Sequence, residues 1–487
     1  MRISALSKGG GSDLQWLELE DVGGLVRGNP GTGVRSTRNG ARQEIVMTLA
    51  NERLNGKRTN PFPMQDRLSV PRERYYDREF FELEKERLWR HTWQMACRLE
   101  EIPEVGDFTE YVICDQSILV VRESEERIRS FYNACRHRAT ELLKGSGSLL
   151  GGQIVCPFHG WRWNSDGSSS FVFGAEAFAA ECLKPDDIKL EECRSAVWGG
   201  CVWINLDPEA APLEEMLAPA AAILEPLGFA DMRVWWWKEV VLDVNWKLAM
   251  EAFLEGYHTM RTHSQLTMGV GEEWDAGSLL YETFEHGHSR FWSKPSDVPM
   301  SAEMFIEFAR VLWEGQDAMT LERDVRVFES IRHRPEAQEN AAPVAIAALY
   351  EYAAGAGIPL PQLTPEQMGQ WGGEVFLFPN FFVLPQYGNA LSYRCRPHED
   401  NPEKCRFEVW SLTLYPEGHD PGRAELSGRF AQDDEENWGM IPRQDFSNME
   451  RQQRGVHSDS FSHMRLATEW EGAIANLHDE VDRYIER

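Results

Sequence analysis

The chain has 487 residues, of which 42% are hydrophobic and 26% charged, a composition typical of a globular protein with more than one domain and a sizeable core. Its formal net charge of −28 argues against nucleic acid or an anionic membrane as the main partner, because phosphate groups would repel it. Nine cysteines without paired spacing do not resemble a secreted disulfide scaffold, and no stretch of about 18 apolar residues predicts a membrane span. We therefore expect a cytoplasmic protein.

The N-terminal half divides into three segments. Residues 1–64 are rich in Gly, Arg and Asn, and we interpret them as a flexible extension. Residues 65–89 predict a helical lead-in to the C-terminal domain, with Asp77 as the cap of a helix. Residues 90–208 contain the strand-like runs FTEYVI, SILVVR and IRSFYN and a hairpin signal, NSDG, at 164–167. This third segment is expected to be an all-β domain.

The C-terminal segment, residues 209–487, mixes both element types. Helices are predicted in EEMLAPAAAILEPL, NWKLAMEAFLEGYH, RFAQDDEENWGM and WEGAIANLHDEVDRYIER. Strands are predicted in VWWWKEVVLDV, EVFLFPNFFVLPQ and CRFEVWSLTLYPEG. Strands with interspersed helices favour an antiparallel sheet flanked by helices, so the chain as a whole is expected to be α+β.

Two short loops of the all-β segment each carry one cysteine and one histidine. Cys135-x-His137 is followed, after eighteen intervening residues, by Cys156-x-x-His159. Two thiolates and two imidazoles suit either zinc or an iron–sulfur cluster. Zinc modules usually pair their cysteines as CxxC, whereas one cysteine and one histidine from each loop suit a two-iron cluster with cysteines on one iron and histidines on the other.

These loops, CRHR and CPFHGWRW, resemble the Rieske domain of the Rieske non-haem iron oxygenases, the α subunits of aromatic-ring-hydroxylating enzymes. The resemblance implies a [2Fe–2S] Rieske cluster held by Cys135, His137, Cys156 and His159. It also implies an all-β Rieske domain joined to a catalytic domain that holds a mononuclear Fe(II).

A second pair of histidines follows the Asn245-Trp246-Lys247 segment, in Glu-Gly-Tyr-His-x4-His. Taken alone, His258 and His263 are typical of a surface or core pair, and both can bind one metal only if the helix ends or bulges between them. In this order after the Rieske loops, the segment resembles the mononuclear iron motif of the same family. The resemblance implies that both histidines bind the iron.

The third iron ligand is expected to be a carboxylate, which the sequence pattern alone does not choose among 78 acidic residues. The family carries it in a late helix with a double aspartate, and FAQDDEENW resembles that segment. The resemblance therefore implies Asp434 as the ligand, with Asp433 as the reserve. A solvated acidic helix face is the alternative interpretation of this segment.

Glu255 stands three residues before His258, where the family usually has an aspartate. The resemblance implies a catalytic role for Glu255: a bridge from His258 to His159 of the next protomer, and hence a ring-shaped trimer. In having glutamate at this position, the chain resembles the quaternary-amine branch of the family. An exposed helical carboxylate is the alternative.

The resemblance implies a terminal oxygenase that uses O2 and NADH-derived electrons to hydroxylate an apolar, aromatic substrate, by dihydroxylation or monohydroxylation, in aromatic hydrocarbon catabolism. A monooxygenase acting on a quaternary amine, or as an O- or N-demethylase, is the alternative within the family. A Rieske electron carrier without oxygenase activity and a zinc-stabilised binding protein are the alternatives of other classes. Phe253, Met260 and the strand FLFPNFFVLP are candidates for lining the substrate pocket.

The expected partners follow from the same resemblance. Electrons would come from a separate reductase, with or without a ferredoxin, since no GxGxxG fingerprint follows a strand in this chain. Arg136, Arg138 and Arg162 crowd the cluster loops and form either a docking patch for an acidic carrier or pairs with nearby carboxylates. The assembly is expected to be a homotrimer or an α3β3 complex with a small β subunit.

Overall fold

The computed structural model describes residues 59–267, 278–294, 299–364, 367–368 and 373–487. Nearly all of the expected N-terminal extension therefore lies outside the described residues. The described chain begins with a capped helix, as predicted: the side chain of Asp77 accepts a hydrogen bond of 2.9 Å from the amide of Phe80. This helix, α1 (Arg78–Leu83), continues as a π-helical turn over Glu84–Trp89.

Between residues 94 and 205 the chain forms two antiparallel sheets with only short helical turns between them. The larger sheet has the strand order β1-β10-β9-β4-β3-β2-β5 and the smaller one the order β6-β7-β8. The strands are β1 (Gln94–Arg98), β2 (Asp107–Ile113), β3 (Gln116–Arg122), β4 (Ile128–Tyr132), β5 (Ser146–Ser148), β6 (Gln153–Val155), β7 (Arg162–Asn164), β8 (Ser169–Phe171), β9 (Glu192–Trp198) and β10 (Cys201–Asn205). The runs predicted as strands are β2, β3 and β4, and the NSDG turn joins β7 to β8 as expected.

A third sheet occupies the C-terminal half, with the order β12-β13-β14-β15-β16-β17-β11-β18. Its neighbouring strands are antiparallel except for β11 and β18, which are parallel. The strands are β11 (Arg233–Leu242), β12 (Leu279–Thr283), β13 (Ser289–Ser293), β14 (Glu374–Leu377), β15 (Phe381–Gln386), β16 (Asn389–His398), β17 (Asn401–Thr413) and β18 (Gly428–Arg429). The α+β class with an antiparallel C-terminal sheet is thereby confirmed.

One short helix, α2 (Pro185–Ile188), lies in the all-β region between β8 and β9. The helices that flank the C-terminal sheet and connect its strands are α3 (Leu213–Leu217), α4 (Ala220–Leu224), α5 (Trp246–Glu251), α6 (Thr259–Thr262), α7 (Ser264–Thr267), α8 (Ala302–Gln316), α9 (Glu322–Glu329), α10 (Pro335–Glu339), α11 (Ala341–Ala356), α12 (Met440–Val456) and α13 (Gly472–Ile485). The predicted C-terminal helix is α13. No helix of the described residues is long and apolar enough to cross a membrane.

Two predicted helices differ from the structure. The segment EEMLAPAAAILEPL is divided into α3 and α4, because Pro219 lacks the amide that a continuous helix would need there. The segment RFAQDDEENWGM is not helical: after β18 it forms turns, and a helix begins only at Met440. The second difference moves the acidic segment off the helix on which the iron ligand was expected.

One face of the C-terminal sheet is aromatic and packs against the chain segment that carries the histidine motif. Helix α5 lies on β16 and β17. Just after it, the ring of Phe253 lies 4.5 Å from that of Tyr393 and 5.6 Å from that of Phe407, measured between centroids. This packing fixes the start of the histidine segment against a rigid surface.

Candidate metal centres

Two loops with the same backbone conformation carry the four expected cluster ligands. In the first, which follows β4, the Cys135 amide donates to the Thr140 carbonyl (2.9 Å) and the Ala139 amide donates back to the Cys135 carbonyl (2.8 Å). In the second, which follows β6, Cys156 makes the equivalent bonds of 2.8 and 3.0 Å. The residue four positions after each cysteine has a positive φ, 59° at Ala139 and 70° at Gly160. Each cysteine is thus fixed in a closed turn that also carries its histidine.

The two turns bring the four side chains together as two like pairs. The Nδ1 atoms of His137 and His159 are 3.2 Å apart, and the buried thiols of Cys135 and Cys156 lie within hydrogen-bonding distance of each other. Two nitrogen ligands about 2.1 Å from one tetrahedral ion are about 3.4 Å apart, so the imidazole pair suits one metal ion. Among the described residues, only one set of three or more His, Cys, Asp or Glu ligand atoms lies within 4.8 Å of one another, and none of its members belongs to these two loops. The four ligands therefore do not surround a single zinc ion, and they fit a [2Fe–2S] cluster with one pair on each iron.

The surroundings of the two pairs shift the pKa values of their ligands in different directions. Burial and the neighbouring Cys156 raise the pKa of the Cys135 thiol, and hydrogen bonds from the amides of His137 and Arg138 offset only part of this. Partial burial, and then the neighbouring His159 and Arg138, lower the pKa of His137, which favours the neutral imidazole that binds metal. The ring of Trp161 stacks on His137 with 5.0 Å between centroids and fixes its orientation.

The three arginines near the loops make different contacts. Arg136 lies 3.3 Å from a backbone carbonyl oxygen and 3.9 Å from the Glu191 carboxylate. Arg138 and Arg162 instead lie over phenylalanine rings, 5.6 and 5.2 Å from the centroids. Within the described part of the chain, a carboxylate contact is thus present for Arg136 and absent for the other two.

The helix that precedes the second pair of histidines ends earlier than predicted. Asn245 caps α5 by accepting from the amide of Lys247 (2.9 Å), and α5 stops at Glu251. The chain then turns, so that His258 comes immediately before the short helix α6 and His263 immediately after it, with φ −113° and ψ 49°. This helix end allows two histidines five residues apart to face one point.

His258, His263 and Asp445 each offer a ligand atom within 4.8 Å of the others. The Oδ1 atom of Asp445 is 2.8 Å from Nε2 of His263 and 3.7 Å from Nε2 of His258. Ligands about 2.1 Å from one ion and at right angles to each other are about 3.0 Å apart. The three side chains therefore fit one face of a six-coordinate ferrous ion and leave the opposite face open, the arrangement of a two-histidine, one-carboxylate site.

The other ring nitrogen of each histidine is held by a side-chain oxygen. Nδ1 of His258 is 2.9 Å from Oε1 of Glu255, whose second oxygen accepts from the His258 amide (2.9 Å). Nδ1 of His263 is 2.8 Å from Oε1 of Gln444, the residue next to Asp445 on α12. Because carboxylate and amide oxygens accept, each Nδ1 carries the proton and each Nε2 is left as the metal-binding acceptor.

Buried acidic groups give this site a strong preference for a cation. Glu255 is 8% exposed and Asp445 5%. Burial lowers the pKa of His258, but the hydrogen bond and charge of Glu255, with the charges of Asp445 and Glu374, raise it to about 9. The pKa of Glu374 is raised well above its usual value by burial, with His258 opposing this and Asp445 and Glu255 adding to it. A divalent metal at the three ligands would neutralise this concentration of negative charge.

Comparisons with known proteins agree with both centres. The family model of the Rieske [2Fe-2S] domain matches residues 92–173. The model of the ring hydroxylating alpha subunit (catalytic domain) matches residues 229–487, more than half of the chain. The chain belongs to the ring-hydroxylating alpha subunit family. The two cofactors expected for such a subunit, a Rieske [2Fe–2S] cluster and a mononuclear iron, correspond to the two sets of ligands in the matched ranges.

Curated relatives of this alpha subunit act on different substrates. The 2-aminobenzenesulfonate 2,3-dioxygenase subunit alpha of Alcaligenes sp. is 33% identical over 222 residues, which are 44% of this chain and 55% of the relative. The carnitine monooxygenase oxygenase subunit of Escherichia coli (strain K12) is 30% identical over 201 residues, 41% of this chain and 53% of the relative. The alignments thus span about half the length of these relatives.

Solved structures share the fold over most of the alpha subunit. Naphthalene 1,2-dioxygenase from Rhodococcus sp., bound to indole, has a TM-score of 0.55 and 21% identity, covering 92% of this chain and 98% of that chain. A quaternary ammonium Rieske monooxygenase in complex with L-carnitine has a TM-score of 0.59 and 17% identity, covering 87% and 97%. An all-β Rieske domain joined to a helix-flanked antiparallel sheet is therefore the fold of this subunit.

The carboxylate expected from the double aspartate is not the one at the metal site. Asp434 accepts hydrogen bonds from two backbone amides (3.1 and 3.0 Å) and from the Asn437 side chain (3.0 Å), and so stabilises a local turn. Neither Asp434 nor the reserve, Asp433, belongs to the set formed with the histidines. Asp445, on the helix that begins after this turn, takes that place. Asp434 is outside this set because the acidic segment is not part of the helix.

Two residues of the iron site stand in no sequence motif, Asp445 and Gln444. Asp445 nevertheless had a detectable signal, since it lies on the apolar face of an amphipathic helix, where an acidic residue is unexpected. The buried positions of α12 are Ile441, Asp445, Phe446, Met449, Gln453 and Val456. Gln444 is recognisable only through its contact with His263.

The two residues expected to line a substrate pocket differ in their surroundings. Phe253 is 6% exposed and belongs to the aromatic packing on the sheet. Met260 is 39% exposed, on the short helix between the two histidines. The structure thus places Phe253, but not Met260, among the buried apolar side chains near the iron ligands.

Proposed function

We propose that this chain is a terminal oxygenase component that uses O2 and NADH-derived electrons to hydroxylate a small substrate. The observation that carries the proposal is the convergence of His258, His263 and Asp445 on one point, three ligands where a six-coordinate iron can take six. A chain that only carried electrons on its cluster would have no use for this second set of ligands. The Rieske ligand pairs in the same chain supply the matching electron store.

When bound, the iron supplies open positions for dioxygen and the cluster supplies one electron at a time. The protein's own residues orient the metal ligands and exclude water from the site. Glu255 and Gln444 fix the ring orientation of the two histidines, so that both Nε2 atoms stay directed at one point. The buried rings around Phe253 keep water from that side of the site.

Glu255 is also the proposed bridge for electron transfer between subunits. It lines a groove of ≈ 330 Å³ together with His258 and Asp445. Exposed aromatic side chains adjoin both ends of the proposed bridge: Tyr257 is 49% exposed beside His258, and Phe158 is 58% exposed beside His159. Burial of these rings against a neighbouring copy would bring its His159 to Glu255, which supports a ring-shaped homotrimer.

The proposed substrate is small, largely apolar and aromatic, and the product a dihydrodiol or a monohydroxylated compound. The aromatic side chains on the sheet near the iron ligands support this class. A quaternary amine is the second candidate, because Glu255 stands in place of the usual aspartate and because a carnitine monooxygenase is among the relatives.

The proposed electron donor is a separate reductase, with or without a ferredoxin. Arg138 and Arg162, which lack carboxylate contacts among the described residues, support a basic docking patch beside the cluster for an acidic carrier. The assembly is proposed to be a homotrimer or an α3β3 complex. A reducing cytoplasm is the proposed location, since the nine cysteines, all among the described residues, form no disulfide.

The test is a single turnover with ¹⁸O2, using protein that is loaded with iron and has a reduced cluster. The panel contains aromatic hydrocarbons, 2-aminobenzenesulfonate and quaternary amines, and products are analysed by mass spectrometry. Labelled product that appears as the cluster is oxidised supports an oxygenase. Cluster oxidation without labelled product from any compound supports the electron-carrier alternative, and a colourless protein with zinc supports the binding protein.

A further inference from the structure

Glu374 lies on the sheet face that contacts the iron-binding turn. It begins β14, where it pairs with Phe291 of β13, which in turn pairs with Tyr281 of β12. The Tyr281 hydroxyl accepts a hydrogen bond of 3.2 Å from the amide of Gly256, in the turn before His258. A Cβ on Gly256 would lie 3.7 Å from the Phe291 ring. Opposed residues in an antiparallel ladder share a face, so Glu374 is in the row of side chains that meets this turn.

The other side chains of this face are mainly aromatic. Phe376 follows Glu374 on the same side of β14 and is fully buried. Its ring lies 4.7 Å from that of Phe382, which pairs with Tyr393 on the next strand. Glu374 is therefore a carboxyl group at the edge of an aromatic wall.

One oxygen of this carboxyl group, Oε2, is buried and has no hydrogen-bond partner among the described residues. Leaving a buried oxygen without a hydrogen bond costs about 1–3 kcal/mol in free energy, so its presence in a folded protein requires an explanation. Binding the iron is not that reason, because Glu374 is not in the set formed by His258, His263 and Asp445. Its electrostatic interaction with His258, Asp445 and Glu255 nevertheless places it near the iron ligands.

We propose that Glu374 determines substrate specificity by binding a positively charged nitrogen, an amino or ammonium group beside the carbon that is oxidised, an assignment that rests on the oxygenase function proposed above. Such a nitrogen would pair with the carboxyl oxygen that now lacks a partner, and its positive charge would favour the ionised carboxylate against the burial and neighbouring acids that raise the pKa of Glu374. Phe291, which is half-buried and opposes Glu374 in the strand ladder, adds an aromatic ring with which a methylated ammonium group can interact. A pure hydrocarbon of the same shape would leave the carboxyl group unpaired.

The experiment compares two probes of the same shape that differ in charge, benzyldimethylammonium, whose N–H can donate a hydrogen bond, and its carbon analogue isobutylbenzene. Binding to the iron-loaded full chain is measured by equilibrium dialysis. We expect the wild-type protein to bind the ammonium probe at least about tenfold more tightly, the range of a hydrogen-bonded charge. Glu374→Gln should lower that affinity by about tenfold and leave the affinity for isobutylbenzene within about twofold. Glu374→Asp, which keeps the charge, should retain part of the preference.

Phe376→Leu is the matched control, because it alters the shape of the same wall without altering its charge. It should weaken both probes to a similar extent. Equal binding of the two probes by the wild-type protein, or an unchanged preference in Glu374→Gln, would overturn the assignment. A wild-type protein without the preference overturns the proposal even where a variant loses iron, and a loss of the preference in Glu374→Gln at full iron content assigns it to Glu374. Oxygenation of neutral aromatic compounds without any preference for the ammonium probe would overturn the role of Glu374 and leave the oxygenase function intact.

Discussion

At the iron site, the position of one carboxylate depends on where a helix begins. Asp445 is 5% exposed and 2.8 Å from Nε2 of His263, whereas Asp434 is bonded within its own turn. The set of three ligand atoms therefore includes Asp445, which was not recognisable from the acidic segment that precedes it. Glu255 and Gln444 add the constraint that each imidazole presents the same nitrogen to the metal.

Asp445→Ala should lose the mononuclear iron and keep the cluster. The substitution removes one of three protein ligands and leaves the Rieske loops untouched, so we expect iron affinity to fall by at least about tenfold. Iron content and the visible cluster spectrum are measured on the same sample. Asp434→Ala is the control and should retain both metals. Iron lost from the Asp434 variant and kept in the Asp445 variant would reverse the assignment.

Glu255→Gln should keep both metals and slow electron transfer between them. Glutamine retains a hydrogen-bonding oxygen for His258 but not the negative charge, so the ring stays oriented while the proposed bridge is weakened. We expect the rate of cluster oxidation in a single turnover to fall by about tenfold or more. An unchanged rate at full metal content would show that Glu255 is not the bridge.

At the scale of elements, α12 positions the carboxylate through its contact with α8. Gly439 precedes α12, and a Cβ there would lie 2.0 Å from the carbonyl oxygen of Gly315 on α8. The two backbones approach closely because neither residue has a side chain at the crossing. A shift of α12 away from α8 would move Gln444 and Asp445 together.

Gly439→Ala should therefore destabilise the protein and weaken iron binding. A contact of 2.0 Å with backbone atoms cannot be relieved by a rotamer change, and we expect a loss of about 1–3 kcal/mol in the free energy of unfolding. Gly455→Ala, near the other end of α12, has nothing within 4 Å and should stabilise by up to about 1 kcal/mol. Thermal unfolding and iron content are measured for both variants, which separates the effect of crowding at Gly439 from that of helix propensity. Equal stability and equal iron content in the two variants would contradict the proposed packing of α12 on α8.

Local motifs made part of the site predictable from the sequence. Cys135 and His137, and likewise Cys156 and His159, share a turn, so their spacing predicts their meeting. His258 and His263 are separated only by α6. Asp445 and Glu374 reach the site through the packing of α12 and the strand register of β14, which no local spacing encodes.

The same distinction applies to the elements. The β-like runs predicted β2, β3 and β4, because the apolar residues that these strands bury lie within the runs themselves. The acidic segment before Met440 was wrongly predicted as helical, because Asp434 instead accepts hydrogen bonds from two backbone amides and favours a turn.

At the scale of the whole molecule, a buried ion pair joins the Rieske region to the catalytic sheet. Glu408 on β17 lies 2.7 Å from Arg394 and 3.2 Å from Arg396. Arg394 also donates to the carbonyl oxygen of Met95 on β1 (2.9 Å). Burial raises the pKa of Glu408, but the two arginines outweigh this and lower it to about 2.

The stability provided by Glu408 should therefore depend on pH. Its pKa falls from an ordinary value of 4.5 to about 2 on folding, so its contribution is complete above pH 4.5 and is lost as the pH falls toward 2. Glu408→Gln should lower the free energy of unfolding by about 3–5 kcal/mol at pH 7, because it leaves buried arginines unpaired. Urea unfolding of both proteins at pH 7 and pH 3 should show a smaller difference at pH 3.

Glu435→Gln is the control for that comparison, since Glu435 is 81% exposed and pairs only at the surface with Arg443. It should change the free energy of unfolding little at either pH. A difference between Glu408→Gln and the wild-type protein that stays constant from pH 7 to pH 3 would contradict the assigned pKa.

The central claim is that one chain holds two different iron centres. The most direct measurement is the content of iron, acid-labile sulfide and zinc per chain in anaerobically purified protein, with EPR after reduction by dithionite. The account predicts three irons and two sulfides per chain, as expected for one [2Fe–2S] cluster and one mononuclear iron, with a Rieske-type signal. Two irons and two sulfides in protein reconstituted with excess ferrous iron would leave only the cluster. Zinc without sulfide would contradict both centres.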